Sequence, residues 1–323
     1  MILTITLNPS VDYLYQLEHF KIGTTNRIPK TIKMVGGKGI NAARICTILD
    51  QPTIATGIIA GTSGDYILRG MDVDHIKHSF LRVDGESRNC ITILHDNGIQ
   101  TELMEQGPYL HAPEFLSIRE HIHKVIRNHS ISVIGISGSV NTKDKKIYAK
   151  LINEIILAFP HIKIVVDTSE KLLRETLVAK NKPFFIKPNL EEINELLHTS
   201  IVTEAELIEV LDNPLFNGVY GILVSLGAKG GLAKVNHQFF RLSIPEIQVI
   251  SPEGSGDSTV GGLLTGINRQ LNDSDLLRYS MAAGMSNAQQ SKTGFMEIKD
   301  FEHNFNQINV EKIESVDMSN LIG

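Results

Sequence analysis

Hydrophobic residues follow two spacings along the chain beyond residue 110. In longer stretches they recur every three or four positions, which is typical of amphipathic helices, whereas short apolar, β-branched runs are typical of buried strands. The two kinds of segment alternate, which predicts right-handed crossovers and a mostly parallel sheet with helices on both faces. The predicted helices are 112–128, 143–159, 170–178, 190–197 and 204–211, and the predicted strands are 132–137, 162–167, 184–188 and 221–226.

The first third of the chain combines this pattern with two β-rich inserts. Strands are predicted over 2–7, 53–59 and 79–83, and a helix opens near residue 37. The inserts, 11–35 and 83–106, alternate polar and apolar residues, and the second contains a hairpin turn at Asp96-Asn97-Gly98. We therefore expect residues 1–10, 36–82 and 107–323 to form an α/β domain, and both inserts to form a small sheet beside it.

Composition narrows the class of protein. The chain has 323 residues, a net charge of −5 and 42% hydrophobic residues, which is typical of a globular protein without a nucleic-acid or membrane partner. The start of the sequence lacks the features of a signal peptide. The two cysteines, Cys46 and Cys90, have no metal-ligand spacing. These features predict a cytoplasmic protein.

The segment Ser251–Ser258, sequence SPEGSGDS, gives the clearest indication of a catalytic site. It follows an apolar run, 244–250, which we predict to be a strand, and it precedes a helical pattern. Glycines before a helix N-terminus leave backbone N–H groups available for an anion, and Asp257 beside them suits a base that deprotonates an attacking hydroxyl. The alternative is a helix cap made by Asp257 or Ser258. The segment is not a Walker A loop, because no Lys follows the second glycine.

Other polar residues follow the ends of predicted strands. In a parallel sheet these ends lie at one edge, where ligands bind. The residues concerned are Asp12, Ser137-Gly138, Asp167, Lys187-Pro188-Asn189 and Ser225-Leu226-Gly227.

Two predicted helix starts and one arginine provide further candidate ligand-binding residues. Gly36-Gly37-Lys38-Gly39 opens a helix on which Lys38 and Asn41 share a face. Asn189 and Glu192 suit Mg²⁺ with its waters, or else form a capping pair. Arg88, at the edge of the second insert, suits a bidentate phosphate contact or a solvated surface position. The GxGxxG fingerprint of a nicotinamide dehydrogenase is absent.

Taken together, GGKGINAAR and PEGSGDS resemble the two signatures of the ribokinase-like sugar kinases, the PfkB family, and the resemblance covers nearly the whole chain. The opening LTITLNPSVD and the segment GESRNCITILH resemble its branch of phosphorylated-ketohexose kinases. The resemblance implies a ribokinase-like fold whose inserts form a lid that pairs subunits into a homodimer. It also implies ATP- and Mg²⁺-dependent phosphorylation of a ketohexose phosphate, first D-tagatose 6-phosphate and alternatively fructose 1-phosphate.

The resemblance also implies a role for individual residues. Asp257 is the expected base, with the amides of Gly254, Ser255 and Gly256 stabilising the transferring phosphoryl group. The expected sugar-phosphate residues are Asp12, Gly37, Lys38, Asn41, Arg88, Ser137, Gly138 and, from a partner subunit, Arg27. The expected nucleotide residues are Lys187, Asn189, Ser225, Gly227, Gly230 and Asn287, with Glu192 at Mg²⁺.

The chain departs from the family pattern at two places. Val140-Asn141 replaces the usual Leu-Pro after SGS, and the missing proline predicts a looser loop. Glu253 adds a negative charge beside the anion site, where it either weakens ATP binding or points outward. A sugar-phosphate sensor without catalysis is the rival of another class, and the intact Asp257 argues against it.

Overall fold

Fourteen strands and ten α-helices form within residues 1–96 and 98–313, which are the residues described by this computed structural model. The strands are β1 (Ile2–Thr6), β2 (Ser10–Gln16), β3 (Lys30–Gly36), β4 (Thr53–Ile59), β5 (Lys77–Arg82), β6 (Arg88–His95), β7 (Ile99–Met104), β8 (Val133–Ser137), β9 (Lys163–Asp167), β10 (Phe185–Ile186), β11 (Gly221–Ser225), β12 (Gly231–Val235), β13 (Gln238–Ser243) and β14 (Asn309–Ile313). The helices are α1 (Lys38–Ile48), α2 (Gly61–Val73), α3 (Ala112–Asn128), α4 (Ile147–Ala158), α5 (Glu170–Val178), α6 (Leu190–Leu197), α7 (Glu204–Leu211), α8 (Ser255–Asn268), α9 (Asp273–Ala288) and α10 (Ile298–Gln307).

Ten strands form the central sheet, in the order β14-β13-β12-β11-β10-β9-β8-β1-β4-β5. The strands from β11 to β5 pair in parallel, and β12, β13 and β14 add an antiparallel edge. Parallel pairing places the carboxyl ends of β1, β8, β9, β10 and β11 along one edge. The predicted mostly parallel sheet is confirmed.

Helices cover both faces of this sheet because its strands are apolar on both sides. Along β1, Leu3 and Ile5 pack into one hydrophobic cluster with α3 and α4, whereas Ile2 packs into another with α1, α8 and α9. Every residue of β1 and β8 is buried. Continuous burial of this kind is typical of a parallel sheet between two helix layers. Among the helices of the described residues, none has both the length and the apolar character needed to cross a membrane.

The two inserts form a separate sheet in the order β3-β2-β6-β7. β2 pairs with β3 in antiparallel fashion and with β6 in parallel, so a strand from one insert joins a strand from the other. β6 and β7 form the predicted hairpin, in which His95 pairs with Ile99. Asp96 and Gly98 adopt positive φ there, and Asn97 lies outside the described residues. The prediction of a small sheet beside the main domain is confirmed.

The predicted strand over residues 244–250 is wrong. β13 ends at Ser243, and the chain runs without regular structure to the start of α8. Pro245 has no backbone N–H to donate, and Val249 and Ile250 are more than half exposed. The backbone N–H groups of Ile250 and Ser251 instead donate to Ala288 O at the end of α9. The loop before α8 is therefore fixed by a helix end.

Candidate active site

α8 begins without a side-chain cap. Its N-cap residue, Gly254, is left-handed (φ 75°, ψ 0°), and neither Asp257 nor Ser258 caps the helix. The Ser255 N–H closes the turn by donating to Pro252 O at 3.2 Å, so this amide is less available than the sequence predicted. The amides of Gly256 and Asp257 have no acceptor among the described residues. The helix start therefore keeps donors for an anion.

Gly254 and Gly256 let neighbouring residues approach the backbone of this turn closely. A Cβ on Gly254 would overlap Thr293 Cγ2 and lie 2.9 Å from Gly294 N. A Cβ on Gly256 would lie 3.4 Å from Lys187 Nζ. Gly254 therefore allows the turn to pack on the 293–294 loop, and Gly256 allows a lysine to reach the first turn of α8.

Asn287 holds this turn from α9. Its Nδ2 donates to Glu253 O at 2.7 Å, and its Oδ1 accepts from the N–H of Gly294 at 2.7 Å and of Phe295 at 3.2 Å. The side chain is 1% exposed. In this arrangement the Asn287 amide joins two loops, whereas the sequence predicted that it faces the nucleotide.

Asp257 lies where the start of α8 meets the start of α1. Its Oδ2 accepts a hydrogen bond of 2.8 Å from Asn41 Nδ2 on α1. Burial raises the pKa of Asp257 above its usual value; Lys38 and the Asn41 amide oppose the rise, while the charge of Asp167 adds to it. A carboxylate with a raised pKa is a better proton acceptor than an ordinary aspartate. The structure thus brings together Asp257 from α8 and Asn41 from α1.

Asp167 forms ion pairs with two lysines at the end of β9. Its Oδ2 lies 3.3 Å from Lys38 Nζ and its Oδ1 lies 3.6 Å from Lys187 Nζ. Asp167 is 1% exposed and Lys187 is 4% exposed. Burial tends to raise the pKa of Asp167, but the two ammonium groups outweigh it and lower that pKa below its usual value. One buried carboxylate therefore forms ion pairs with a lysine from the start of α1 and a lysine from the end of β10.

The small sheet of the inserts, predicted to be a lid, contributes Asp12 and Arg88 from the neighbouring strands β2 and β6. A Cβ on Gly36 would overlap the Asp12 carboxylate, so the glycine leaves room for it. Ser10 Oγ donates to Asp12 Oδ1 at 2.7 Å, and burial raises the pKa of Asp12 despite this bond and the charge of Arg88. The Arg88 Nε donates to Asn8 O at 3.2 Å, which leaves its two terminal nitrogens without an acceptor among the described residues.

α1 starts against the end of β1. Gly37, its N-cap residue, has φ 111°, and a Cβ there would lie 3.0 Å from Pro9 Cα. A Cβ on Gly39 would overlap Thr6 Oγ1 and lie 3.2 Å from Ile5 O. These glycines bring the helix N-terminus, with Lys38, close to the strand edge.

The loop after β8 is anchored although it lacks the expected proline. Gly138 O accepts from Tyr148 Oη at 3.1 Å, and Asn141 Nδ2 donates to Gly107 O at 2.9 Å. Val140 is buried in the core, and Ser137 is fully buried with its Oγ unpaired among the described residues. Burial raises the pKa of Tyr148, and the charges of Lys38 and Arg88 oppose this rise. The two cations therefore flank the same loop.

Asn189 and Glu192 form the capping box that was the alternative to a metal site. Glu192 N–H donates to Asn189 Oδ1 at 2.7 Å, and Asn189 N–H donates to Glu192 Oε2 at 2.8 Å. Glu192 Oε1 lies 4.0 Å from Lys38 Nζ. In the described part of the chain, no three His, Cys, Asp or Glu side chains group as metal ligands. A Mg²⁺ held by phosphates and water needs no such group.

The remaining predicted residues form no side-chain hydrogen bond with Asp257 or Asp167 in the described part of the chain. Ser225 ends β11 and forms a bridge with Asn189. Gly227 (φ 60°) has open space around it, and Gly230 (φ 84°) packs against Leu242 O. Arg27 is exposed between β2 and β3, and its side chain forms no hydrogen bond with the described residues. The structure thus does not bring Arg27 into the site of its own chain.

Glu253 points toward the lid. Its Oε1 accepts from Gln100 Nε2, on β7, at 3.2 Å. Burial raises the pKa of Glu253, and the charges of Glu102 and Asp12 add to the rise. Its carboxylate therefore joins the turn before α8 to the lid.

Sequence reasoning missed a buried cation behind Asp257. Arg44 is 2% exposed, and it donates to Asn41 Oδ1 at 2.8 Å and to Asp74 Oδ2 at 2.7 Å. Lys292 Nζ lies 2.7 Å from the other oxygen of Asp74. The spacing of Asn41 and Arg44, three residues apart on one helix, could have predicted their contact. No sequence pattern could have predicted the contacts of Asp74 and Lys292, because these residues are distant from Arg44 and from each other in sequence.

Comparisons with known proteins concern the family and the fold of the chain. Residues 5–300 match the model of the family described as pfkB family carbohydrate kinase. A structure from Staphylococcus aureus, provisionally described as a phosphofructokinase, is 28% identical with a TM-score of 0.80, and the match covers 97% of this chain and 99% of that one. Phosphofructokinase-2 from Escherichia coli, in complex with potassium, is 22% identical with a TM-score of 0.85 (94% and 98% covered). A protein from Thermotoga maritima, described as a possible 1-phosphofructokinase, is 22% identical with a TM-score of 0.84 (97% and 99% covered).

Replacing Asp167 by Asn should leave the buried Lys187 without an ion-pair partner and Lys38 with only Glu192, at 4.0 Å. We expect the free energy of unfolding to fall by about 3–5 kcal/mol. Urea denaturation near neutral pH measures this loss. Because the pKa of Asp167 is lowered in the folded protein, its stabilisation is present above the pKa of the unfolded chain. It is lost as the pH falls through the folded pKa, so the difference between the two proteins should shrink in acid.

Glu311→Gln is the matched control for this prediction. It removes an exposed partner of Arg241, at 3.2 Å, and should cost less than about 1 kcal/mol. Equal, small losses in the two variants would contradict a stabilising role for Asp167.

Proposed function

The chain belongs to the pfkB family of carbohydrate kinases, and from that premise we propose that it phosphorylates a ketohexose phosphate. The proposed reaction transfers the γ-phosphoryl group of ATP to D-tagatose 6-phosphate, which gives D-tagatose 1,6-bisphosphate. The observation that carries the kinase chemistry is the position of Asp257, which is hydrogen-bonded to Asn41 on one side and lies in the uncapped first turn of α8 on the other.

Asp257 acts as the general base in this proposal. The attacking hydroxyl must lose its proton as the new P–O bond forms, and a nearby carboxylate accepts that proton. Burial raises the pKa of Asp257, which strengthens it as a base, while the Asn41 amide and Lys38 keep its ionised form accessible. Asn41 at 2.8 Å also fixes the direction of the carboxylate.

Donors around the first turn of α8 suit the phosphate chain of ATP. The amides of Gly256 and Asp257 lack acceptors among the described residues, and Lys187 lies beside Gly256. Such preorganised donors stabilise charge on a transferring phosphoryl group. Mg²⁺, when bound, neutralises phosphate charge, and Glu192 Oε1 would face it through water. Ser225, Gly227 and Gly230 line the proposed nucleotide side.

The proposed sugar side lies between α1 and the lid. The Asp12 carboxylate suits sugar hydroxyls, and Arg88 and Lys38 suit the phosphate that the substrate already carries. The lid segment GESRNCITILH, by its resemblance, supports tagatose 6-phosphate over fructose 1-phosphate. A structure of E. coli phosphofructokinase-2 contains fructose 6-phosphate, so a relative in fold accepts a hexose phosphate.

A coupled kinase assay over a panel of sugars tests the proposal directly. The panel contains tagatose 6-phosphate, fructose 1-phosphate, fructose 6-phosphate and the free ketohexoses. We expect the highest kcat/KM for tagatose 6-phosphate. A higher value for fructose 1-phosphate would assign the alternative substrate, and binding without turnover would favour a sensor.

Replacing Asp257 by Asn should lower kcat by roughly 10²–10⁴-fold, the usual contribution of a general base. Because burial raises the pKa of Asp257 in the folded protein, the stability linked to its protonated form decreases as the pH rises through that pKa. The thermal midpoint near neutral pH should therefore not fall in the variant. A calorimetric scan and steady-state kinetics measure both quantities, and a retained kcat would exclude Asp257 as the base.

Replacing Arg88 by Ala should raise KM for tagatose 6-phosphate by roughly one to two orders of magnitude, because a charged hydrogen bond contributes about 1.5–3 kcal/mol. KM for ATP should change little, and free tagatose should be a poor substrate of both proteins. Arg82→Ala is the control, because Arg82 pairs with Asp65 on the surface. Equal KM values in wild type and Arg88→Ala would remove Arg88 from the substrate site.

The lid is also the proposed subunit interface. β7 is an edge strand, and its Ile99, Leu103 and Met104 side chains are each more than half exposed. Exposed apolar strand edges are commonly covered by another chain. Pairing of two lids along β7 would cover these three side chains.

Light scattering tests this interface at micromolar concentration. Wild type should have the mass of a dimer, and Leu103→Glu should shift it toward the monomer. Leu157→Glu, at an exposed position on α4, is the control and should remain a dimer. A fully active wild-type monomer would overturn the proposed interface. A tetramer, the form named for one structure of E. coli phosphofructokinase-2, would require a second interface.

A further inference from the structure

Arg44 is a buried arginine that donates hydrogen bonds to four residues, one of which, Asn41, contacts the proposed base. Besides Asn41 and Asp74, its guanidinium donates to Thr293 O at 3.2 Å and to Val35 O at 3.0 Å. Val35 belongs to the root of the lid, and Thr293 packs against the turn before α8. One cation therefore contacts the lid, the sugar side and the loop that supports the anion site.

The Arg44 contact determines which way the Asn41 amide faces. A guanidinium has only donors, so Asn41 must present its Oδ1 to Arg44, and the contact is 2.8 Å. The Asn41 Nδ2 is then left to donate to Asp257 Oδ2, also at 2.8 Å. If the amide turned over, an oxygen would face the carboxylate and the donor would be lost.

Asp74 and Lys292 hold Arg44 in turn. Asp74 accepts from Arg44 Nε on one oxygen and from Lys292 Nζ on the other, each at 2.7 Å. Burial tends to raise the pKa of Asp74, but Arg44 and Lys292 outweigh it, so this carboxylate stays ionised. The series Lys292–Asp74–Arg44–Asn41 thus ends at Asp257.

We propose that Arg44 is a positioning residue for the reaction, with Asp74 as its anchor, because it locks the Asn41 amide in the orientation that donates to Asp257. This inference rests on the proposed function, in which Asp257 is the base. Arg44 touches no substrate in this role. It acts through Asn41, whose amide favours the ionised form of Asp257 and fixes the direction of its carboxylate.

The test uses Asp74→Asn, a same-shape change that removes the negative charge holding Arg44 without removing a buried cation. It should lower kcat about tenfold, the lower end of the range for a hydrogen bond to a charged group, with KM nearly unchanged. The low-pH limb of the kcat profile should move to higher pH, because Asp257 loses its donor.

The direction of that pH shift separates two explanations. Loss of the negative charge of Asp74, acting through space alone, would lower the pKa of Asp257 and move the limb to lower pH. The other groups that face Asp257, namely Lys38, Asp167 and Lys187, are unchanged in the variant. A shift to lower pH, or no shift, would overturn the proposal.

A double-mutant cycle with Asn41→Ala completes the test. Since Arg44 acts through Asn41, Asp74→Asn should change kcat little in the Asn41→Ala background. An undiminished tenfold effect there would mean a general structural role and would overturn the proposal. Asp72→Asn, at an exposed position on α2, is the control and should leave kcat and its pH profile unchanged.

A carboxyl titration by ¹³C NMR, which needs no turnover, separates this inference from the proposed function. If wild type lacks kinase activity but the Asp257 titration still moves to higher pH in Asp74→Asn, the positioning contact stands and the proposed function fails. If wild type is active but neither kcat nor the Asp257 titration changes in the variant, the positioning inference fails and the proposed function stands.

Discussion

The Asp167 carboxylate, buried at the end of β9, is the interaction on which the arrangement of the site depends. It lies between Lys38, which begins α1, and Lys187, which follows β10. Without this negative charge, the ammonium group of Lys187 would be buried without an ion-pair partner and would repel that of Lys38, which is partly exposed. The carboxylate therefore allows positive charge to be concentrated where phosphates are proposed to bind.

The turn before α8 is stabilised by side chains that leave its donors available. A capping side chain would satisfy the first N–H groups of the helix and occupy the proposed phosphate position. Instead, Asn287 holds the turn through the Glu253 carbonyl and the 294–295 backbone, and Gly254 packs against Thr293. The fold thus obtains a fixed turn from a neighbouring helix and keeps the helix start open to an anion.

Stability and chemistry place opposite demands on Asp257 and Asp167. The raised pKa of Asp257 means that its ionised form is costly in the folded protein, which suits a proton acceptor. The lowered pKa of Asp167 means that its ionised form stabilises the fold. Asp167 lies against two ammonium groups, at 3.3 and 3.6 Å, which outweigh its burial. Burial dominates at Asp257, where the charge of Lys38 and one neutral amide lower the pKa and the charge of Asp167 raises it.

The sequence alone determined the alternation of strands and helices, the small sheet formed by the two inserts, and the motifs around Lys38 and Asp257. Local spacing carries this information, since periodicity, glycine turns and strand ends involve residues close in the chain. The strand predicted over residues 244–250 is wrong because only the composition of this run favours a strand. Pro245 and the lack of a partner strand prevent a strand from forming there.

Tertiary structure decided what distant residues do together. Asp167 between two lysines, Glu253 beside the lid, and Asp74 and Lys292 around Arg44 join segments that are far apart in sequence. No local pattern reveals such pairs, because ion pairs and amide orientations depend on which strand ends and helix starts meet. In the sequence, Asn189 and Glu192 were compatible with a Mg²⁺ site or with a capping pair. Only the folded chain shows that they form a capping box.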